Sequence, residues 1–326
     1  MQKTTNDFLQ SLVKFSSIFC TAALLSACAN GSSTRSMQAQ HAERVCAPSE
    51  TARPLPARFA IQPNQAAEAR LEALGFSASA IAAAHAIGAT DEVYRIATRP
   101  AQQRHDMSAL TLRLRISDRI LLGTIDSSSI AGEIICEGER GDALRLSMKS
   151  YLDNRSQKAN LASILVGAGT AAVSGGLAWG SLDVAANAVG TGGGLIEAGL
   201  GAFMLFDDTD SDFRTPRNLL AEVWAKPQEP TYFPRSVWRY LTRPGPDGTS
   251  HLDRMVASWR TPSLLGEPDS DEEKERIELL FGDGGKYAID TLIIRDEMLD
   301  QLRSVVLLIN RDLRMLAREL GELPGM

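Results

Sequence analysis

The chain has 326 residues, of which 44% are hydrophobic and 23% charged, and its formal net charge is −6 at pH 7. This acidic balance argues against a nucleic-acid partner. The four histidines are scattered, and the sequence contains no H-E-x-x-H motif, no cysteine pair at zinc spacing and no G-x-S-x-G motif. It therefore predicts no metal site, no cofactor and no enzyme.

The first residues form a leader with a recognisable end. Lys3 and Lys14 lie in a polar stretch, residues 15–25 are predominantly apolar, and Leu25-Ser26-Ala27-Cys28 follows. This pattern resembles the lipobox of bacterial lipoproteins. An ordinary secretory signal cleaved elsewhere is the alternative interpretation.

The lipoprotein resemblance implies a location. It implies that residues 1–27 are removed as a signal peptide and that Cys28 is acylated, so that lipid anchors the protein in the bacterial cell envelope. Ala29 after the cysteine resembles the pattern of lipoproteins exported to the outer membrane, where the protein would face the periplasm.

Two cysteines remain after the leader and the lipidated residue are set aside. In an oxidising periplasm, Cys46 and Cys136 are expected to pair. The disulfide would close a loop of about 90 residues and contribute something over 4 kcal/mol on the chain-entropy model. Two separate thiols are the alternative.

Residues 28–63 contain several prolines and no apolar periodicity, which predicts a flexible tether before a helical domain over 64–326. From residue 65 the chain becomes alanine-rich, with short helical pieces. Between residues 106 and 158 an amphipathic helix is predicted from Leu110, Leu114, Leu121, Ile125, Gly132, Ile135, Leu144, Met148 and Leu152. A break is expected at residues 127–129 or 138–141, because a single rod would be unusually long.

Residues 161–206 are rich in glycine and alanine and contain only two charged residues. Small residues recur every four positions in two arms and would line two helices of a hairpin: Ala168, Ala172, Gly176 and Gly180, then Gly190, Gly194, Ala198 and Ala202. This spacing resembles the glycine-zipper segments of some envelope lipoproteins. A soluble helical hairpin and an oligomeric membrane insertion both remain open. A third reading, a dinucleotide-binding fingerprint over residues 167–172, lacks the preceding strand.

Residues 207–285 form an aromatic and proline-rich region. Its first aspartates mimic part of a calcium loop but lack the turn glycine and closing glutamate, so they predict an acidic helix start instead. Trp224, Tyr232, Trp238 and Tyr240 either close the end of a bundle or form a partner surface. The acidic run at residues 269–275 predicts another helix start, and glycines at 282–285 its end.

Residues 286–323 show the clearest helical pattern. Leu292, Leu299, Val306, Leu313 and Leu320 repeat every seven residues, and a second apolar set is interrupted by Arg295. The apolar partner would be the helix over residues 106–158 or another copy of the chain.

The sequence thus predicts a mainly α fold, an extended helical bundle with long amphipathic helices and an irregular aromatic insertion. The leading functional hypothesis is a lipid-anchored structural or interaction protein of the envelope, with another envelope protein or a homo-oligomer as partner. A peptide-binding module and a membrane-inserting oligomer are the alternatives.

Overall fold

The computed structural model describes Cys46 and residues 65–103, 106–179 and 210–323, with the side chains of the longest helix described up to Lys158. The predicted leader, the lipidation site Cys28 and the tether apart from Cys46 lie outside the described residues. The fold is mainly α, as predicted. Its elements are α1 (Gln65–Ala73), α2 (Ala78–Ala86), α3 (Thr90–Ala97), α4 (Met107–Trp179), β1 (Ser211–Arg214), α5 (Leu219–Ala225), α6 (Arg235–Thr242), α7 (His251–Trp259), α8 (Asp271–Phe281), β2 (Gly284–Tyr287) and α9 (Ile289–Gly321).

Helices α1 to α3 are short, and most of the buried residues of α2 are alanines. The Ser77 side chain caps α2 by accepting a hydrogen bond from the Ala80 amide at 3.2 Å. Ala80, Ala83, Ala84 and Ala86 have no exposed surface. Alanines allow this helix to approach α9 and α6, and together they form an apolar core with Ile309 and Leu316.

Helix α4 is continuous for 73 residues, so the predicted break is wrong. At the first proposed position, Ser127 Oγ lies 3.1 Å from the Thr124 carbonyl oxygen and 2.6 Å from Asn310 Oδ1 of α9. At the second, a Cβ on Gly138 would lie 3.0 Å from Asp296 Oδ1. Both positions are in contact with α9, and tertiary packing offsets their weak helix propensity.

Helices α4 and α9 run antiparallel, because Gly123 lies near Leu313 whereas Glu137 contacts Arg295. The heptad prediction for α9 is confirmed: Leu292, Leu299, Leu302, Val306, Ile309, Leu313 and Leu316 are buried. Since α9 begins six residues before Arg295, α4 continues past the beginning of α9. No side chain from Lys149 to Lys158 is buried, and the helix from Lys149 to Trp179 extends roughly 45 Å at 1.5 Å per residue.

A two-stranded antiparallel sheet pairs β1 with β2. The expected acidic helix start before residue 214 is therefore wrong, because residues 211–214 pair with residues 284–287. Gly284 has φ +89°, and a Cβ there would collide with the Phe213 carbonyl oxygen, so the close approach of the two strands requires glycine.

The region between the strands is more regular than predicted, since it contains the four short helices α5 to α8. The acidic start of α8 is confirmed. Ser270 caps this helix and Gly282 ends it.

Candidate interaction surface of helix α4

Helix α4 carries two apolar stripes. The inner stripe, buried in the bundle, consists of Leu112, Ile116, Ile130, Ile134, Leu144 and Met148. The outer stripe is exposed and consists of Met107, Leu110, Leu114, Leu121, Leu122, Ile125, Ile135 and Leu146. Most of the apolar residues that the sequence analysis assigned to contacts with the C-terminal helix therefore lie on the outside.

The middle of the outer stripe has no charge. We call this region the outer face of α4; its exposed residues are Leu121, Leu122, Ile125, Ser128, Ser129, Gly132 and Ile135. Leu121 is 60% and Ile125 is 53% exposed. The next exposed charged residues along the helix are Asp118 and Glu139. The face is about 21 Å long at 1.5 Å per residue, and an apolar exposed surface of this kind marks contact with a protein or a membrane.

The charged side chains beside the outer face are engaged with the bundle. Arg119 forms an ion pair with Glu92 at 3.0 Å, and Asp126 accepts a hydrogen bond from Ser236 Oγ at 2.5 Å. Burial raises the pKa of Asp126, although this hydrogen bond opposes the shift. These contacts hold both charges at the edge of the face.

The predicted disulfide between Cys46 and Cys136 is present, with an S–S distance of 2.00 Å and a Cα–Cα distance of 5.6 Å. Ile125, Ser128, Gly132 and Cys136 follow one another at intervals of three or four residues, so they share one side of the helix. The disulfide therefore attaches the N-terminal segment to the outer face itself.

A buried ionic cluster lies one residue beyond the disulfide. The Glu137 carboxylate accepts hydrogen bonds from Arg140 at 2.8 and 3.0 Å and from Arg295 at 3.0 Å. Arg140 also donates to the Arg214 carbonyl oxygen at 2.9 Å. Both guanidinium groups lie over the ring of Phe213, at 4.8 and 5.1 Å from its centroid.

This cluster joins α4, α9 and β1 at one point. Arg295 is only 2% exposed, and its Nε is a buried donor without a hydrogen-bond partner. Two arginines share one buried carboxylate, so the removal of that carboxylate would leave both charges without their main partner. The cluster therefore fixes the position of the outer face relative to the rest of the bundle.

A second buried carboxylate extends the cluster toward α5. Glu133 forms an ion pair with Arg217, whose guanidinium also donates to the Tyr232 carbonyl oxygen at 3.0 Å and lies over the Tyr232 ring. Burial raises the pKa of Glu133, and Arg217 opposes that shift.

The four aromatic residues that were predicted as a possible partner surface do not form a continuous exposed surface. Trp238 and Tyr240 are buried, with the Trp238 indole donating to the Pro227 carbonyl oxygen and the Tyr240 hydroxyl donating to Asp312 at 2.7 Å. Burial raises the pKa of Tyr240 above its ordinary value, and the hydrogen bond to Asp312 raises it further. Trp224 stacks on Phe281 and is half-buried, as is Tyr232. These residues pack inside the bundle, which agrees with the interpretation that they close its end.

The predicted small-residue stripe falls partly on α4. Ala168, Ala172 and Gly176 lie in its helical backbone, whereas Gly180, Gly190, Gly194, Ala198 and Ala202 lie outside the described residues. The interpretation of residues 167–172 as a dinucleotide-binding fingerprint is wrong, because they continue a helix that begins at Met107, where the fingerprint requires a strand directly before it.

A groove of about 790 Å³ lies between α7 and α9, where His251 and Arg254 face Asp296, Glu297 and Asp300. In the parts of the chain that the structure describes, no group of three or more potential metal ligands is found. Over those same residues, no helix combines the length and apolar character needed to cross a membrane.

No protein family, curated protein or solved structure matches this chain.

Sequence reasoning missed the outer face and the ionic cluster. Leu121 and Ile125 were recognised as apolar, but their side of the helix was misassigned because α4 has two stripes. One signal for the cluster was available: Arg295 occupies a core position of the α9 heptads, and a charge there predicts a buried partner.

Proposed function

We propose that this protein is a lipid-anchored structural or interaction protein of the bacterial cell envelope, attached through Cys28 to the outer membrane and facing the periplasm. It presents a helical bundle at the membrane, and α4 serves as an arm. The observation that carries this proposal is the continuity of α4, which runs for 73 residues and extends past its partner α9. From Lys149 to Lys158 no side chain of this helix is buried, so the helix offers a long accessible surface beyond the described bundle.

The disulfide supports the location. Disulfides persist in oxidising compartments such as the periplasm and are rare in the cytosol. The lipobox resemblance supports the anchor.

The anchor is tested by membrane retention. The wild type is compared with Cys28→Ser exported by a substitute cleavable signal peptide, and both membrane fractions are washed with alkaline carbonate. We expect the wild type to stay and the variant to wash off. Release of both proteins would contradict the lipid anchor.

The interaction role is tested by crosslinking at the arm. A photoreactive amino acid replaces Tyr151, which is 46% exposed on α4, and a control protein carries it at Ile293, also 46% exposed but on α9. We expect a specific crosslinked species from position 151 in the envelope. An inert monomer, both in crosslinking and in sedimentation of the delipidated protein, would overturn the proposal.

A second candidate is a membrane-inserting oligomer acting through residues 161–206. It is favoured by the helical backbone that continues into this segment as far as Trp179. Dye release from liposomes by the wild type but not by Gly176→Leu would support it. Absence of release from both proteins would exclude it.

A further inference from the structure

We infer that the outer face of α4 is the surface that this protein lays on the lipid headgroups of its own membrane. The inference deepens the proposed function and rests on its lipid anchor at Cys28. The occupant of the face is thus a lipid surface, not a second protein.

The first reason is the position of Cys46, which is the described residue nearest in the sequence to the lipid anchor at Cys28. Cys46 is bonded to Cys136, which shares a side of α4 with Ile125 and Gly132. Only 18 residues separate Cys28 from Cys46, and they can span at most about 60 Å. By comparison, the first described helix begins at Gln65, which is 37 residues from Cys28, and a chain of that length can span about 120 Å.

The second reason is the chemistry of the face. Its exposed residues are leucine, isoleucine, serine and glycine. Arg119 and Asp126 beside it are paired with the bundle, and the exposed acidic residues Asp118 and Glu139 lie only at its two ends. A helix that lies in the plane of a membrane interface buries an apolar side of this kind to a depth of about 5–10 Å. Serine and glycine cost little at that depth, whereas a central charge would be expensive.

The third reason concerns a competing occupant. A second copy packing along this face would need access to the whole length of the helix. The disulfide places Cys46 against Cys136, on the side of α4 that also carries Gly132, where a second helix would have to approach. A membrane surface does not require this close helix-to-helix contact.

The test uses the mature full-length chain with Cys28→Ser, so that any membrane binding comes from the protein surface. Flotation is measured with vesicles of roughly three parts phosphatidylethanolamine to one part phosphatidylglycerol. Leu121→Glu with Ile125→Glu places two charges on the outer face. The matched control is Ile293→Glu with Leu307→Glu, which alters two apolar residues of α9 that are 46% and 43% exposed.

We expect the outer-face variant to bind vesicles at least about tenfold more weakly, and the control to bind like the parent protein. Circular dichroism of both variants verifies that the bundle is folded. If the parent protein does not float, or if both variants float equally, the inference is overturned. It is also overturned if the parent sediments as a dimer that the outer-face variant dissociates, because the occupant would then be a second copy.

These outcomes are separate from those of the anchor test. Carbonate removes surface-bound protein, so retention of the lipidated wild type together with release of Cys28→Ser reports on the lipid at Cys28. Failure of flotation with retention of the wild type would overturn the lipid-facing surface and leave the anchored function intact. Flotation of the parent protein without retention of the wild type would support the lipid-facing surface and overturn the lipid anchor.

Discussion

The two ends of the α4–α9 pair are built from different chemistry. At one end, alanine helices and residues such as Ile309 and Leu313 form an apolar core. At the other end, Glu137, Arg140 and Arg295 are buried together against an aromatic ring. An apolar core tolerates changes of shape in proportion to the volume lost, whereas a buried ionic cluster is either complete or strongly destabilising.

The largest effect is expected at the ionic end, from removal of the disulfide. The double substitution Cys46→Ser and Cys136→Ser removes a crosslink between residues that are 90 positions apart in the sequence. The chain-entropy model predicts that this lowers the free energy of unfolding by about 4 to 5 kcal/mol. Urea denaturation of the double variant beside the oxidised wild type measures it. Reduced wild type is the control and should match the variant; a loss below about 1 kcal/mol would show that the segment is held by other contacts.

Glu137→Gln tests the ionic cluster itself. The substitution keeps the size of the side chain but leaves Arg140 and Arg295 without a buried negative charge between them, so we expect a loss of about 3 to 5 kcal/mol. The same change at the exposed Glu275 of α8 is the control and should cost no more than about 0.5 kcal/mol. Equal effects at both positions would mean that the cluster is solvated.

Substitutions of Leu313 test the apolar end. Leu313→Ala should cost roughly 3 kcal/mol, because it leaves a cavity beside Gly123 and Ile87. Leu313→Met preserves the volume and should cost less than about 1.5 kcal/mol. The contrast between the ends would disappear if Leu313→Met were as damaging as Glu137→Gln.

The smallest effect is expected at the surface of α7, which lies outside both ends. A hydrogen bond from Lys226, and others from Ser250, lower the pKa of Asp253 to about 2. Its contribution to stability is present above the ordinary pKa of about 4 and is lost as the pH falls through about 2. Because the side chain is half exposed, Asp253→Asn should cost at most about 1 kcal/mol at pH 7.

The pH profile of that variant provides the check. Thermal unfolding of wild type and Asp253→Asn should differ at pH 7 and converge near pH 2. A constant difference across this range would show that the carboxylate charge plays no part.

Regular patterns in the sequence were sufficient for part of this architecture. The α9 heptads and the acidic start of α8 could be predicted because each depends on residues close together in the chain. The continuity of α4 could not be predicted, since Ser127 bonds to Asn310 and Gly138 lies close to Asp296, both more than 150 residues away in the chain. Long-range contacts of this kind leave no local signal.

For the same reason, the candidate surface could be predicted only in part. Its leucines and isoleucines were found, but two apolar stripes on one helix give no indication of which one faces the bundle. That choice is made by contacts with α9, where Ser127 and Glu137 occupy inner positions that a hydrophobic pattern would reject.

The position of the disulfide also determines how the molecule responds to mechanical force. A pull on any residue before Cys46 passes through the sulfur–sulfur bond into the middle of α4 and bypasses α1 to α3, which lie within the covalent loop. The oxidised chain therefore resists tension with its longest helix. In the reduced chain the same pull would reach α1 first and would peel the alanine helices from the bundle one after another.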